Sequence, residues 1–142
     1  MDRAQCLKFD EIKIGDKKEF EVAITPKLID KFAELSGDFS PLHMDKKFAE
    51  KTKFGKRVAH GFLAASFLSQ LVGMHLPGER ALYLSQTLKF RAPIFENDLL
   101  KISGEVIGKS EALKLLTIKT AIAKSTGKTV LEGEAKVSYL EG

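Results

Sequence analysis

Asp38 and His43 are the residues of this chain whose types and spacing best suit proton transfer. They lie in "SGDFSPLH" (36–43), and the chain has only three histidines. A carboxylate and an imidazole can share one water molecule, and their proton affinities can be adjusted by burial and coupling. The chemistry that this pair indicates is general acid–base catalysis on water.

On spacing alone, simpler interpretations remain open. Aspartate often forms turns by bonding to nearby backbone, and a histidine can be a partly buried packing residue. A metal site formed by Asp38, His43 and Asp45 is conceivable, but zinc sites favour more His or Cys than this stretch offers. We therefore predict no metal ion.

The residues before this stretch predict a strand and a helix that position it. "KKEFEVAI" (17–24) alternates charged and apolar residues, as a half-buried strand does. Thr25 and Pro26 then provide an N-cap and a first helical turn. Apolar residues recur at helical spacing up to Ser36 and Gly37; they are Leu28, Ile29, Phe32 and Leu35.

The stretch itself predicts a loop. Pro41 disfavours helical conformation at Ser40, so we expect a shaped loop with Asp38 and His43 at its two ends. A short helix should begin near Asp45, in "DKKFAEKTKF".

A long apolar helix is predicted from Gly61 to about Leu76, with Pro77 and Gly78 as its stop. Apolar residues occur nearly all round it, so it must be buried on most sides. Four strand-like segments follow: "RALYLSQTLKFRA", "DLLKISGEVIG", "ALKLLTIKTAIAK" and "KTVLEGEAKVSYL". A twisted antiparallel sheet wrapped round one central helix satisfies this order, with Lys89, Lys101 and Lys119 facing outward. The fold class is α+β.

Composition limits the class of protein further. A chain of 142 residues with 44% hydrophobic content fits one domain, residues 1–142. We expect a cytoplasmic protein, because there is no signal-peptide pattern, no apolar run of about 20 residues, and a single cysteine, Cys6. The net charge of +4 comes from interleaved lysines and acids without a nucleic-acid-binding motif, so we expect no nucleic acid or membrane partner.

The motifs resemble those of the MaoC-like family, and closely those of its single-domain (R)-specific enoyl-CoA hydratases. "FAELSGDFSPLHMD" is similar to the family signature Gly-Asp-x-Asn-Pro-Leu-His, and "VAHGFLAASFLS" continues the likeness, which spans about residues 20–139. The resemblance implies the hot-dog fold and reversible hydration of trans-2-enoyl-CoA to (R)-3-hydroxyacyl-CoA. It implies acyl-CoA as substrate, a homodimer and no cofactor.

The resemblance also implies roles for single residues. Asp38 and His43 would hold the water that is added, and the backbone N–H of Gly61 would bind the thioester oxyanion. Ser69 would help to line the site. The chain departs from the family pattern at Ser40, where asparagine is usual, so loop geometry or substrate preference could differ.

Other polar residues near the motif receive lesser roles. Lys56 and Arg57 precede the apolar helix and are candidates for contacts with the phosphates of coenzyme A. We expect His60 to fix the entry to the helix through hydrogen bonds, and His75 to interact with carbonyls at its end.

Three alternatives to the hydratase remain open. The same chemistry could act on 3-hydroxyacyl groups bound to acyl carrier protein, which is acidic and would also suit a basic surface. The chain could be a non-catalytic acyl-CoA-binding module that lost hydration through Ser40. Hot-dog thioesterases share the fold, and fold alone does not exclude them.

Overall fold

The computed structural model describes residues 2–141, and its main element is one antiparallel sheet. The strands run in the order β1-β4-β5-β6-β2, and the short β3 also pairs with β6. Their bounds are β1 Lys17–Ala23, β2 Ala81–Gln86, β3 Lys89–Phe90, β4 Leu99–Ser110, β5 Leu115–Lys124 and β6 Thr129–Tyr139.

The helices lie mainly between β1 and β2. They are α1 Pro26–Ser36, α2 Pro41–Met44, α3 Lys46–Glu50 and α4 Gly61–Gln70, and α4 continues into a π-helical turn, Leu71–His75. A 3-10 helix, Phe9–Glu11, precedes β1. Within residues 2–141, none of these helices has the length and apolar character needed to cross a bilayer.

α1 begins and ends where the sequence predicts. The Thr25 side chain accepts a hydrogen bond from the N–H of Leu28, and Gly37 ends the helix in the left-handed conformation, with a φ of 79°. Such a φ is accessible to glycine without steric cost. The apolar spacing that predicted this helix does not make all of its apolar residues core residues, because Leu35 is 84% exposed. The helix instead buries Ile29 and Ala33.

α4 packs one side against the sheet. Its buried residues Leu63, Ala64 and Leu68 belong to a cluster that also includes Ile102 and Ile122 from the sheet. The prediction that α4 is buried on most sides is only partly met, because one stripe of it is exposed. This exposed stripe, called the α4 stripe below, comprises Phe62, Ser66, Ser69 and Gln70.

Glycine allows the helix and the sheet to approach closely. A Cβ at Gly104 on β4 would lie 2.8 Å from Cδ2 of Leu71 and 3.2 Å from Cγ2 of Ile118. Both neighbours are fully buried, so neither side chain has free space to move into. The contact fixes the end of α4 against the middle of the sheet.

The segment predicted as a single strand over residues 80–92 is divided into β2 and β3. Thr87 lies between them, where its N–H donates to the Glu134 carbonyl and its Oγ1 accepts from the Glu134 N–H. The Thr87 carbonyl passes so close to Gly133 that a Cβ there would lie 1.7 Å from it. β2 and β3 both run along β6, and the break between them lies beside this glycine, which the strand-like sequence does not reveal.

We predict that Leu68→Ala lowers the free energy of unfolding by about 2–5 kcal/mol, because it removes most of a side chain that is only 2% exposed. Leu35→Ala is the matched control, because its side chain is exposed, and it should change stability by less than about 0.5 kcal/mol. Urea unfolding followed by circular dichroism measures both. Equal losses in the two variants would contradict this description of the core.

Candidate active site

The loop after α1 holds the Asp38 carboxylate in one position. The N–H of Asp38 donates to the Ser36 Oγ at 3.2 Å, and the N–H of Ser40 donates to the Asp38 Oδ1 at 3.0 Å. These local bonds engage one carboxylate oxygen and leave the other, Oδ2, directed toward His43. The Asp38 side chain is 48% exposed, so the carboxylate is accessible from solvent.

His43 lies on α2 and not at the end of a loop, which corrects the expectation from Pro41. Pro41 is the first residue of α2, where its missing N–H costs no hydrogen bond. The Nδ1 of His43 lies 2.5 Å from the carbonyl oxygen of Val58. Because a carbonyl only accepts, Nδ1 carries the proton, and Nε2 of the neutral ring is left with a free lone pair.

The two predicted acid–base groups meet across a gap that suits water. Nε2 of His43 lies 3.8 Å from Oδ2 of Asp38. This distance is too long for a direct hydrogen bond, but one water oxygen can lie within about 2.8 Å of both atoms. Both atoms are acceptors in this state, so the pair can orient a water molecule and remove a proton from it.

Gly61 is the first residue of α4, adjacent to this pair. At that position the N–H has no acceptor within the helix, and the helix dipole is positive. The side of the glycine where a Cβ would project is covered by Phe90, whose Cε1 would lie 2.6 Å from such an atom. Contact with this ring is therefore an additional reason for glycine, which the sequence analysis did not foresee.

Two adjoining cavities meet at these residues. One has a volume of about 540 Å³ and the other about 380 Å³, and both are lined by His43, Gly61 and Phe62. Asp38 lines the smaller cavity, and apolar side chains dominate the walls of the larger one. A substrate with a reactive centre at His43 and Gly61 could therefore extend to either side of it.

Two of the predicted supporting residues have limited roles in this structure. The Ser40 side chain makes no capping hydrogen bond, and the residue contacts Asp38 through its backbone N–H. Ser69 lies on the exposed α4 stripe and lines neither of the two cavities. Its predicted place in the site stays a prediction.

The two predicted phosphate contacts differ in environment. The Arg57 side chain is only 6% exposed, and its guanidinium donates to Glu96 and lies 3.7 Å from Asp30. Its charge is thus already balanced by two carboxylates. Lys56 is exposed, with its Nζ 4.5 Å from the ring centroid of Phe95. The phosphate prediction therefore rests on Lys56.

His60 contacts both members of the pair, which the sequence analysis did not predict. Its Nε2 lies 2.9 Å from the Asp38 carbonyl oxygen, and its ring centroid lies 4.0 Å from that of His43. Burial is the main cause that lowers the pKa of His60. The expected hydrogen bond is present, but it ties the start of α4 to the Asp38 loop, and no sequence pattern indicates the ring contact.

His75 packs against the ring of Phe20, with a centroid distance of 5.5 Å. Its Nδ1 has no hydrogen-bond partner among residues 2–141, so this atom contributes nothing to the predicted interaction with carbonyls at the helix end, which stays a prediction. Burial is again the main cause that lowers the pKa of His75, and the nearby Lys18 charge adds to it.

The cluster around Asp38 has fewer ligands than the four of a structural zinc site. Asp38, His43 and His60 each offer an atom within 4.8 Å of the others. The two imidazole rings are packed against each other, with centroids 4.0 Å and planes 31° apart, and no fourth histidine, cysteine or carboxylate joins the group among the described residues. Asp45, the other ligand considered, caps α3 by accepting from the N–H of Phe48.

An antiparallel sheet packed on one helix, with the predicted pair Asp38 and His43 beside the start of that helix, is the arrangement of a hot-dog protein. The chain belongs to the MaoC-like family: the family described as "MaoC like domain" matches residues 10–128. The (R)-specific enoyl-CoA hydratase of Rhodospirillum rubrum is 39% identical over 129 residues, which cover 91% of this chain and 89% of that protein.

Two further comparisons agree with this placement. The structure of the unliganded R-hydratase PhaJ1 from Pseudomonas aeruginosa superimposes with a TM-score of 0.93 at 34% identity, covering 98% of this chain and 89% of that one. The mitochondrial 3-hydroxyacyl-[acyl-carrier-protein] dehydratase of Arabidopsis thaliana is 33% identical to this chain, and the match covers 87% of this chain and 75% of that protein. The predicted fold and family are confirmed.

We predict that the free energy of unfolding decreases as the pH is lowered below about 6.5, the ordinary pKa of histidine. His75 is one cause of this decrease. Its folded-state pKa is lowered, so the unfolded chain binds more protons in this range, and each step down in pH favours unfolding. Unfolding free energies measured from pH 7.5 to pH 5.5 should decline less steeply in His75→Phe than in the wild type. Identical slopes would show that the His75 pKa is not lowered.

Proposed function

We propose that this protein is an (R)-specific enoyl-CoA hydratase, a hydro-lyase that adds water reversibly to trans-2-enoyl-CoA. The observation that carries the proposal is the separation of 3.8 Å between the Nε2 of His43 and the Oδ2 of Asp38, beside the first N–H of α4. The relatives named (R)-specific enoyl-CoA hydratase support the substrate class and the product configuration.

The proposed reaction uses the pair and Gly61 together. The pair takes one proton from water while the water oxygen bonds to C3 and the C2=C3 π bond breaks. The displaced electron density collects on the thioester oxygen, which the Gly61 N–H stabilises as an enolate. The enolate then collapses as the proton held by the pair passes to C2. Because oxygen and proton come from the same side of the substrate, the addition is syn.

The free Nε2 lone pair makes His43 able to accept the water proton, and the ionised Asp38 carboxylate can accept it too. The two groups share the water, so the transfer belongs to the pair as a unit. The His43–Val58 hydrogen bond has a further effect, because it stabilises the imidazolium that forms when Nε2 is protonated.

Ser40 does not argue for a non-catalytic binding module. Asp38 is oriented by the backbone N–H of residue 40, and any residue other than proline supplies that group. Replacing the usual asparagine by serine therefore leaves this bond intact. A thioesterase is less favoured too, because the relatives at 39% and 36% identity are named (R)-specific enoyl-CoA hydratase.

The carrier is proposed to be coenzyme A. Lys53 lines the larger cavity along with His43 and Gly61, and Lys56 is a further candidate for a phosphate contact. Arg91 also lines this cavity, but its guanidinium is already paired with Glu132. The relative named 3-hydroxyacyl-[acyl-carrier-protein] dehydratase keeps a carrier-protein substrate as the second candidate. It is less favoured, since the 39% identical relative is named for a CoA substrate.

A cytoplasmic homodimer is the proposed working form. Leu82 and Leu84 on the edge strand β2 are about half exposed, and Phe62 of the α4 stripe is 63% exposed. A second copy that pairs at this edge would bury these side chains and satisfy open backbone groups. The lone Cys6 is consistent with a reducing compartment.

We predict that Asp38→Asn and His43→Ala each lower the kcat for hydration of crotonyl-CoA by about 100-fold or more, since each removes one acceptor from the water. Loss of the enoyl-thioester absorbance measures the rate, and chiral analysis should identify the (R)-alcohol. Asp10→Asn, at an exposed carboxylate outside the site, is the control and should retain the wild-type rate.

Several outcomes of this assay would contradict the proposal. Hydration of enoyl groups only on acyl carrier protein would favour the dehydratase, and release of free thiol would favour a thioesterase. Binding of crotonyl-CoA and longer enoyl-CoAs without any change in absorbance, by folded protein, would favour a binding module.

A Gly61→Ala substitution should lower kcat about tenfold or more, because the new methyl group would overlap the Phe90 ring and displace the N–H from the oxyanion. Gly73→Ala is a matched control in the π-helical turn, where an added Cβ meets nothing within 4 Å. Adding Phe90→Ala to Gly61→Ala should restore part of the rate. A Gly61→Ala variant as active as Gly73→Ala would contradict the role given to Gly61.

A further inference from the structure

His60 is the residue that joins the two halves of the acid–base pair. It is 2% exposed and immediately precedes Gly61, so it is fixed to the start of α4. Its ring contacts the ring of His43, at a centroid distance of 4.0 Å, and the ring of Phe32, at a centroid distance of 5.0 Å with the planes 67° apart. One side chain therefore touches α1, α2 and the Asp38 loop.

The hydrogen bond of His60 fixes the position of its proton. The Asp38 carbonyl can only accept, so the Nε2 of His60 carries hydrogen and donates to it. Nδ1 is then an unprotonated acceptor, and it has no hydrogen-bond partner among the residues that the structure describes. A buried polar atom without a partner is disfavoured, and its presence next to a reaction centre calls for an explanation.

We propose that His60 is a positioning residue that holds Asp38 and His43 at the separation needed for one shared water molecule. Its Nε2–H anchors the backbone of Asp38, and its flat ring supports the imidazole of His43. The inference rests on the proposed hydratase function and adds a residue to its machinery. His60 acts through the other two residues and does not itself exchange a proton with substrate.

Neutrality of His60 is part of this role. A proton on Nδ1 would place a positive charge against His43 and oppose the protonation of His43 during the reaction. The charged groups that face His60 are Asp38 and Arg57, with His43 as the titratable neighbour, and burial outweighs the attraction of Asp38. The arrangement keeps the His60 ring uncharged while it donates to the Asp38 carbonyl and packs against His43.

Two substitutions separate the hydrogen bond from the ring contact. His60→Phe keeps a ring and loses the donor, whereas His60→Gln keeps a donor and loses the ring. We expect each to lower the kcat for crotonyl-CoA between about 10-fold and 100-fold, with KM changed less than about twofold, because a misplaced catalytic group impairs chemistry more than binding. His75→Phe, at the other histidine whose Nδ1 has no hydrogen-bond partner within residues 2–141, should retain wild-type kcat.

A double-mutant cycle distinguishes positioning from a general effect on stability. If His60 acts through Asp38, His60→Phe in the Asp38→Asn background should lower kcat less than about threefold further. If His60→Phe lowers kcat in the Asp38→Asn background by the same factor as in the wild type, the proposal is overturned. So would a folded His60→Phe or His60→Gln variant whose kcat lies within threefold of wild type.

Nuclear magnetic resonance of the wild-type protein tests the proposal even where the variants fail to fold. With ¹⁵N-labelled histidine at pH 7, we expect a neutral His60 protonated at Nε2. An Nδ1–H tautomer or a charged ring would remove the proposed anchor. If the wild type hydrates no enoyl thioester, the proposed function fails, whereas hydration with insensitive His60 variants defeats only this inference.

Discussion

The start of α4 must be held rigidly, because every proposed catalytic group is attached to it. Four consecutive residues, Val58 to Gly61, make these attachments. The Val58 carbonyl binds the His43 ring, the Ala59 N–H donates to the Ile94 carbonyl, and His60 donates to the Asp38 carbonyl. Gly61 then presents its own N–H. Displacement of this segment would move the base, the carboxylate and the oxyanion donor together.

The rigidity of this segment comes from the packing of α4 on the sheet. The helix is anchored at its far end, where Leu71 packs against the bare backbone of Gly104. Leu68 fills the core between that contact and the start of the helix. Packed cores resist small displacements, and the first turn of the helix is itself buried in the core through Leu63 and Ala64, so it keeps its place. The sheet thus holds the proposed catalytic groups in position, although none of these groups belongs to a strand.

The sequence alone predicted those features of the fold and the site whose signals lie in neighbouring residues. Thr25 and Gly37 fix both ends of α1 through capping, and three of the segments predicted as strand-like correspond to the long strands β4, β5 and β6. Asp38 and His43 were found because their motif is contiguous, although the spacing alone left other interpretations open.

The features that the sequence did not reveal depend on contacts between distant residues. The Phe90 ring covers Gly61 across 29 positions, and Arg57 is neutralised by Glu96 across 39, so neither appears in any local pattern. Leu35 has helical spacing like its apolar neighbours, yet no other element covers it. Tertiary packing decides which face of a helix is covered. The spacing of apolar residues along the sequence carries no information about that packing.

The central claim is that one water molecule is held jointly by Asp38 and His43 beside the Gly61 N–H. A crystal structure of the Asp38→Asn variant with (R)-3-hydroxybutyryl-CoA tests it most directly, since the product hydroxyl marks where that water is added. The account predicts this oxygen within about 2.6–3.2 Å of both the residue 38 side chain and the Nε2 of His43, with the thioester oxygen at the Gly61 N–H. A hydroxyl directed away from this pair, or a thioester oxygen bound elsewhere, would contradict it.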